Sequence, residues 1–395
     1  MKTIIFTNAR NEDNILEWVV HHLNLGFDHV YVIDHKSNDP IEHKLQIIPN
    51  NLCSIERIEG DIMKNKLIFD AHKYAIKNEY DWMLYLDADE FLVLNDDDNV
   101  KDLLNKYDSY DQVGLNWLMF GSNNLKNKPS DTVLSSYIKS MEYLDHHIKS
   151  FLHLKRENTK YMIPQPHVYY LDDMSKSVTS LKVKLNSEHT YWFDTGKKFN
   201  EIPGFIAHYV FQSYETYLER KISVPRDDSG LFRDIIPEID FHLQYNDFDN
   251  FSVRDKYNEK NKQKINEYKN LFEQMPQEKR IMSQHFQTTE INIKKVNKTF
   301  FNCDVIQDFL KNKKVDNKIS DLIVRLNKQN KLSKLNKLNK QNKQINEEQN
   351  ETKEIEHNMK APVQQQIIRQ TKKQKKINKM RIICNNINNN TINNL

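Results

Sequence analysis

Apolar positions in the first ninety residues alternate between short continuous runs and sparser runs of helical period. Thr3 to Thr7 is a short run that predicts a first strand, and the polar ARNEDN after it supplies Asn11 or Asp13 as a helix N-cap. Ile15, Leu16, Trp18, Val19, His22, Leu23 and Leu25 then recur at helical spacing, with Gly26 placed to stop the helix in a left-handed C-cap. His29 to Asp34 predicts a second strand, followed by the turn formers of HKSNDP. Leu52 to Ile58 predicts a third strand. Lys66 to Asn78 predicts a helix through Leu67, Ile68, Ala71, Tyr74 and Ala75. The run Trp82 to Leu86 predicts a fourth strand, which delivers Asp87, Asp89 and Glu90 at its carboxyl end before FLVL turns apolar again.

Strands alternating with helices in this way predict a parallel sheet with right-handed crossovers, whose first, second and fourth strands end at a common crevice. Asn8 to Glu12, Asp34 and Asp87 to Glu90 are therefore expected to converge there. Taken singly, each of the first two groups reads better as turn and capping chemistry, and it is the meeting of three polar strand ends at one edge that points to a polar ligand. Further along, Val253 to Met275 carries a sparse apolar stripe for an amphipathic helix, Asn297 to Asn312 reads as a short helix, and the leucines after Lys318 give only a weak coiled-coil or surface-helix pattern.

Composition adds a boundary. Hydrophobic residues make up 38% of the 395, low for a chain with room for a large core. The deficit lies at the C-terminus, where from Lys311 on about 20 basic residues face about 7 acidic ones. The overall charge of +3 thus divides into roughly +13 for this tail and −10 for the body. A net-acidic body argues against a specific nucleic-acid-binding domain, while the tail reads first as a solubilising segment and otherwise as suited to a partner helix or an anionic surface. Beyond Asn346 the Asn, Gln and Lys richness predicts disorder. Cys53, Cys303 and Cys384 fit neither a disulfide framework nor a zinc site, and no run is long enough for a signal peptide or a membrane span. These features predict a cytoplasmic protein.

Three carboxylates as close as Asp87, Asp89 and Glu90 stay ionised together only beside positive charge, and hard oxygen ligands suit Mg²⁺ or Mn²⁺. The bland reading is a solvated acidic turn after a core strand. In sequence order, TNARNEDNILEWVVHHLNLGFDHVYVIDHKSND, DWMLYLDADEFLVL, LNWLMFGSN, IKSFLHL, IPQPHVYY and AHYVFQSYETYLERK resemble the motifs of family 2-like or family 92-like glycosyltransferases with the GT-A fold, over residues 1 to about 230. The fold class the resemblance implies is α/β, a Rossmann-like nucleotide-binding sheet with helices on both faces. The expected division is a GT-A domain at 1–250, a helical extension at 251–315 and a low-complexity tail at 316–395.

The resemblance implies transfer of a sugar, with inversion, from a nucleoside diphosphate-sugar donor to a hydroxyl of a glycan, protein or lipid-linked acceptor, with Mn²⁺ or Mg²⁺ on the diphosphate. Asp87 and Asp89 match the Asp-x-Asp motif as metal carboxylates, and a late histidine, His208 ahead of His167, is the expected third ligand. Glu90 either positions water or acceptor or bonds its own turn. Thr7, Asn8, Arg10, Asn11, Glu12, Asp34 and Lys149 are the expected donor contacts, with Arg10 alternatively pairing Asp34 or Asp13. Trp117, Phe120 and Gly121 belong to the expected acceptor floor, for which ordinary core packing is the alternative. Glu215 is the expected base. Where the family often carries Gln and Asn on the helix before the fourth strand, this chain has Ile68 and Lys73, which leaves room for a catalytically inactive sugar-nucleotide or glycan-binding module. A nucleotidyltransferase would want a glycine-rich phosphate loop after the first strand, and ARNEDN has no glycine.

Overall fold

A computed structural model describes residues 1–60, 62–185, 193, 195–227, 229–276 and 287–289. The chain divides into two units, Met1–Val296 and Asn297–Leu395, and every described residue belongs to the first.

The predicted strand and helix alternation is present. Strand β1 (Thr3–Ala9) leads to helix α1 (Ile15–Asn24), then β2 (His29–His35), β3 (Cys53–Ile58), helix α2 (Lys64–Lys77) and β4 (Trp82–Tyr85). After the acidic turn come β5 (Glu90–Leu94), β6 (Gln112–Met119), β7 (Ile148–His153), β8 (Ser177–Thr179) and β9 (Gly204–His208). The short helix α3 (Tyr214–Tyr217), the long helix α4 (Ser252–Gln274) and strand β10 (Gln287–Thr289) complete the order. The sheet runs β10, β3, β2, β1, β4, β7, β6, β9, β5, with β8 also on β6. Its first five strands are mutually parallel, and β7 turns antiparallel against both β4 and β6.

Side chains alternate between the two faces of each strand, and each face has its own helices. Ile5 of β1 packs in one buried cluster with Ile15, Trp18 and Val19 of α1. Its neighbours Ile4 and Phe6 pack in another with Leu67, Ile68, Ala71 and Ala75 of α2. This is the α/β, GT-A-type sheet with helices on both faces that the resemblance implied. Gly26, at φ +90°, ends α1 as expected. The N-cap differs, because Asn14 precedes α1 without a side-chain cap. Asn11, at φ +55°, instead ties its own loop to the next, donating its N–H to Ser37 Oγ (3.0 Å) and accepting from Asn38 N (2.8 Å).

Strand β5, which follows the acidic turn, is the last of its sheet, so the backbone groups on its far edge need partners from outside the ladder. Side chains supply them. Trp18 Nε1 donates to Glu90 O (2.7 Å), the His21 and His22 imidazoles bond Leu92 O (2.7 Å) and Leu92 N (3.3 Å), and Tyr257 Oη meets Leu94 N (3.0 Å) and Leu94 O (3.1 Å). Val253, Tyr257 and Tyr268 of α4 belong to the same buried cluster as α1. Residue 250 is therefore not a boundary: α4 is part of the unit that holds the sheet. The sequence expectations for 297–312 and 316–395 lie outside the described residues. No helix among the described residues is long and apolar enough to cross a membrane.

Candidate active site

The turn between β4 and β5 is closed by its own acid. Glu90 N donates to Asp87 O (3.0 Å), and Asp87 N donates to Glu90 Oε2 (2.9 Å). Of the two readings of Glu90, its side chain thus takes the turn bond, fully buried beneath the turn. Burial pushes its carboxyl up to about 8, against the pull of Lys149, so that it is largely protonated at neutral pH.

Lys149, on β7, is only 1% exposed and places Nζ 3.2 Å from Asp87 Oδ2 and 3.1 Å from Glu90 Oε2. It lies behind the carboxylates, outside the residues that line the cavity, so it is their counter-ion in this arrangement rather than a donor contact. Lys64, from the first turn of α2, pairs with the other oxygen of Asp87. Burial alone would raise Asp87, but Lys149 and Lys64 more than offset it and hold the carboxyl well below its ordinary range. Asp89 is lowered for the same kind of reason: Lys221, His208 and Arg220 outweigh its desolvation.

Strand β9 brings His208 opposite Glu90, between β5 and β6. Its Nε2 stands 3.6 Å from Asp89 Oδ1, and its buried Nδ1 has no hydrogen-bond partner among the described residues. Burial pushes His208 down to about 4, so the imidazole is neutral. Trp117 of β6 packs its ring 4.3 Å from His208, 5.0 Å from His147 and 5.0 Å from His167, measured between centroids.

Beyond β9 the chain forms α3, capped by Ser213 Oγ on Thr216 N (3.2 Å), and runs straight into a π-turn, Leu218–Ile222. The wider turn aims two consecutive cations at the acidic turn, a common setting for π-geometry. Lys221 Nζ is 2.6 Å from Asp89 Oδ2. Arg220 donates Nε to Glu12 Oε1 (2.8 Å) and stands 3.5 Å from Asp89 Oδ2. Farther on, Asp227 accepts from Asn8 Nδ2 (2.8 Å) and faces His35 Nδ1 at 3.4 Å.

The acidic turn, His208, Arg220 and Lys221 help to wall a cavity of about 520 Å³. Of the residues expected from sequence, Asn8, Arg10, Glu12, Asp87, Asp89, Trp117, His167 and His208 line it. Arg10 pairs with neither acid considered for it, and its buried Nε has no partner among the described residues. Asp13 bonds Lys44 (2.7 Å), while Asp34 accepts from Arg57 (2.6 Å) and from the backbone of Ser37 and Ile41 (3.1 Å each). Asp34 is thus a fully buried turn residue, away from the cavity.

Several other expectations are not met. Thr7 is buried in β1, with its hydroxyl directed to Asn8 O. Asn11 serves the loop contact described above. Phe120 is buried against Tyr209, centroids 4.5 Å apart. Gly121 is packed so tightly that a Cβ would lie 2.6 Å from Tyr245 O. Both belong to the packed interior. Glu215 is exposed in the first turn of α3 and accepts from Lys128 N (2.7 Å), outside the cavity.

Sequence reasoning missed Lys64, Arg220, Lys221, Asp227 and Arg233, all of which line the cavity. The consecutive Arg220 and Lys221 were visible at the end of AHYVFQSYETYLERK, but nothing local distinguished them from solvated charges. Ile68 is buried under the sheet and Lys73 lies over Phe69 (4.2 Å). The helix that departs from the family pattern at these positions still reaches the cavity, through Met63, Lys64 and Asn65 at its start.

The donor set suits a divalent cation in kind. Asp89 Oδ1 and the neutral His208 Nε2 are too far apart for a hydrogen bond, at a separation two ligands of one ion can have, and Asp87 offers a second ionised carboxylate. Lysines now neutralise both acids. Among the described residues, the His and carboxylate group whose donor atoms all fall within 4.8 Å of one another is Asp145, His146 and His147, rather than this one.

A sheet whose parallel first and fourth strands end at an acidic turn facing a basic cavity is an α/β arrangement of the GT-A type. The profile of glycosyltransferase family 92 matches residues 70–227, so that this segment is similar to that family. A family 92 protein of Ricinus communis is 26% identical over 222 residues, covering 55% of this chain and 36% of that protein. One from Oryza sativa subsp. japonica is 26% identical over 112 residues, 28% of this chain and 19% of that protein. The matches thus span about a third or less of these relatives' length. Among solved structures, S. aureus TarS aligns over 41% of this chain and 30% of its own at 17% identity and a TM-score of 0.27. HddC from Yersinia pseudotuberculosis aligns over 45% of this chain and 91% of its own at 11% identity and a TM-score of 0.28. Both likenesses are too distant to bear on function.

Proposed function

We propose that the chain transfers a sugar from a nucleoside diphosphate-sugar to an acceptor hydroxyl of a glycan, protein or lipid-linked molecule, inverting the anomeric centre with the help of Mn²⁺ or Mg²⁺. The observation that carries this reading is the acidic turn and neutral His208 opening onto a cavity lined by Arg10, Lys64, Arg220 and Lys221. Among the described lining residues six basic side chains face four acidic ones, which suits a polyanionic donor held against a cation-binding edge.

Asp89 and His208, with Asp87, would hold the metal, which would neutralise the departing diphosphate. Arg10 is in place to meet phosphate oxygens as a charged donor. Trp117 lines the cavity, where an aromatic side chain suits the apolar face of a sugar ring. The acceptor oxygen replaces the diphosphate at the anomeric carbon, and its proton passes to a carboxylate base. Asp227 suits that role better than Glu215, because it lines the cavity and its partners there are an amide and an imidazole rather than a lysine or arginine. A cytoplasmic setting agrees with Cys53 being a buried free thiol.

The deciding experiment is release of nucleoside diphosphate by the purified chain from a panel of uridine, guanosine and cytidine diphosphate sugars, with Mn²⁺ and then with a chelator. Turnover that needs the metal and falls on the order of 100-fold in Asp89→Asn is expected. Binding of a nucleotide sugar without turnover on any acceptor would favour the binding-module alternative, and no binding at all would end the donor reading.

A further inference from the structure

Asp89 spends its two oxygens differently. Oδ1 faces His208 Nε2 across 3.6 Å, whereas Oδ2 holds Lys221 Nζ at 2.6 Å. Arg220, one residue earlier, is fixed by its bonds to the buried Glu12. Lys221 has one carboxylate partner, lines the cavity and is 18% exposed at its side chain, on a flexible four-carbon stem. A divalent cation taken up by Asp89 and His208 would set a like charge beside the Lys221 ammonium and weaken the one carboxylate contact it makes among the described residues. The unpartnered Arg10 Nε lies on the same cavity wall system, so an anion drawn into the cavity meets a second cation there.

We propose that Lys221 is a diphosphate-binding residue that occupies Asp89 until metal and nucleotide arrive, and then exchanges the carboxylate for a phosphate oxygen. Lys221 and the metal thus compete for Asp89, while Lys221 and the metal together bind the diphosphate. Two consequences follow. The metal binds weakly to the free protein and more tightly with nucleotide present, and the reciprocal holds for the nucleotide. The inference rests on the donor reading above.

The test uses the full chain, with Mn²⁺ binding followed by the loss of free-ion electron paramagnetic resonance signal and with UDP, GDP and CDP binding followed by calorimetry. In the wild type, the nucleotide that binds should tighten Mn²⁺ about tenfold. Lys221→Met should bind Mn²⁺ alone about tenfold more tightly, because its competitor is gone, yet bind the nucleotide about tenfold more weakly and lose most of the coupling. Lys221→Arg should restore nucleotide binding in part. The opposite signs separate the proposal from a structural role: a variant that weakens both ligands, or changes neither, overturns it while leaving the donor reading standing. If none of UDP, GDP and CDP binds the wild type, the donor reading and this inference fall together.

Discussion

Lys149→Met removes a cation that is 1% exposed and lies within 3.2 Å of two carboxyl groups, while keeping much of the volume of its stem. Breaking a buried ion pair by deleting one partner costs about 3–5 kcal/mol, because the remaining charge is left uncompensated. Two features of the site favour the lower end. Asp87 keeps Lys64, and Glu90, pushed up to about 8, is protonated at neutral pH and leaves no second bare charge. A loss of about 3 kcal/mol at pH 7 is therefore expected. The pH dependence carries its own sign. Glu90 has a folded value raised above its unfolded one of 4.5, so its contribution is complete below about 4.5 and is lost as pH rises towards about 8. Without Lys149 the carboxyl resists ionisation further, and the cost of the substitution should grow above pH 8 by up to about 1.4 kcal/mol per unit. Urea unfolding of wild type and variant at pH 7, 8 and 9 reads this directly. A loss within 1 kcal/mol of zero at all three values, the size of an exposed pair, would refute the reasoning.

Four further expectations follow from the same geometry. Phe120→Ala should cost about 3–5 kcal/mol in urea unfolding, because the ring is fully buried against Tyr209; a stable variant with a raised acceptor KM would instead return Phe120 to the acceptor floor. Glu215→Gln should leave donor turnover within about twofold of wild type, since the side chain is exposed outside the cavity, whereas Asp227→Asn should lower it on the order of 100-fold. His21 is depressed to about 4 by burial, so the stability it lends is complete above about 6.5 and is lost as pH falls towards 4, by about 2 kcal/mol between pH 6.5 and 5. In His21→Gln that part of the acid sensitivity should disappear from the unfolding curves, and an unchanged pH slope would count against it.

Asp87 and Asp89 were legible in the sequence because the apolar run before them ends abruptly, and a strand with helices on both sides must deliver its last residues to one edge. Glu90 was half legible: its spacing allowed the turn bond that the structure shows. The counter-charges were not legible. Lys221 reaches Asp89 across 132 residues, through β9 and a π-turn whose wider winding leaves no periodic signature in a five-residue stretch. Asp34 misled for a related reason. A carboxylate at a strand end serves a ligand or its own turn equally well by sequence, and only Arg57 and the amides of Ser37 and Ile41 decide between them.

The sequence by itself determined the elements, their alternation and the edge at which chemistry collects, since helix and strand periods are local and the sheet must bury both faces. The tertiary structure alone decided which polar groups share that edge and which are spent holding it. The distinction is physical: an apolar period is satisfied by any well-packed core, whereas a buried charge is defined by the particular cation or amide that meets it. Lys149 and Lys221 carry the same charge and touch neighbouring acids, yet one is sealed beneath the turn and the other faces the cavity.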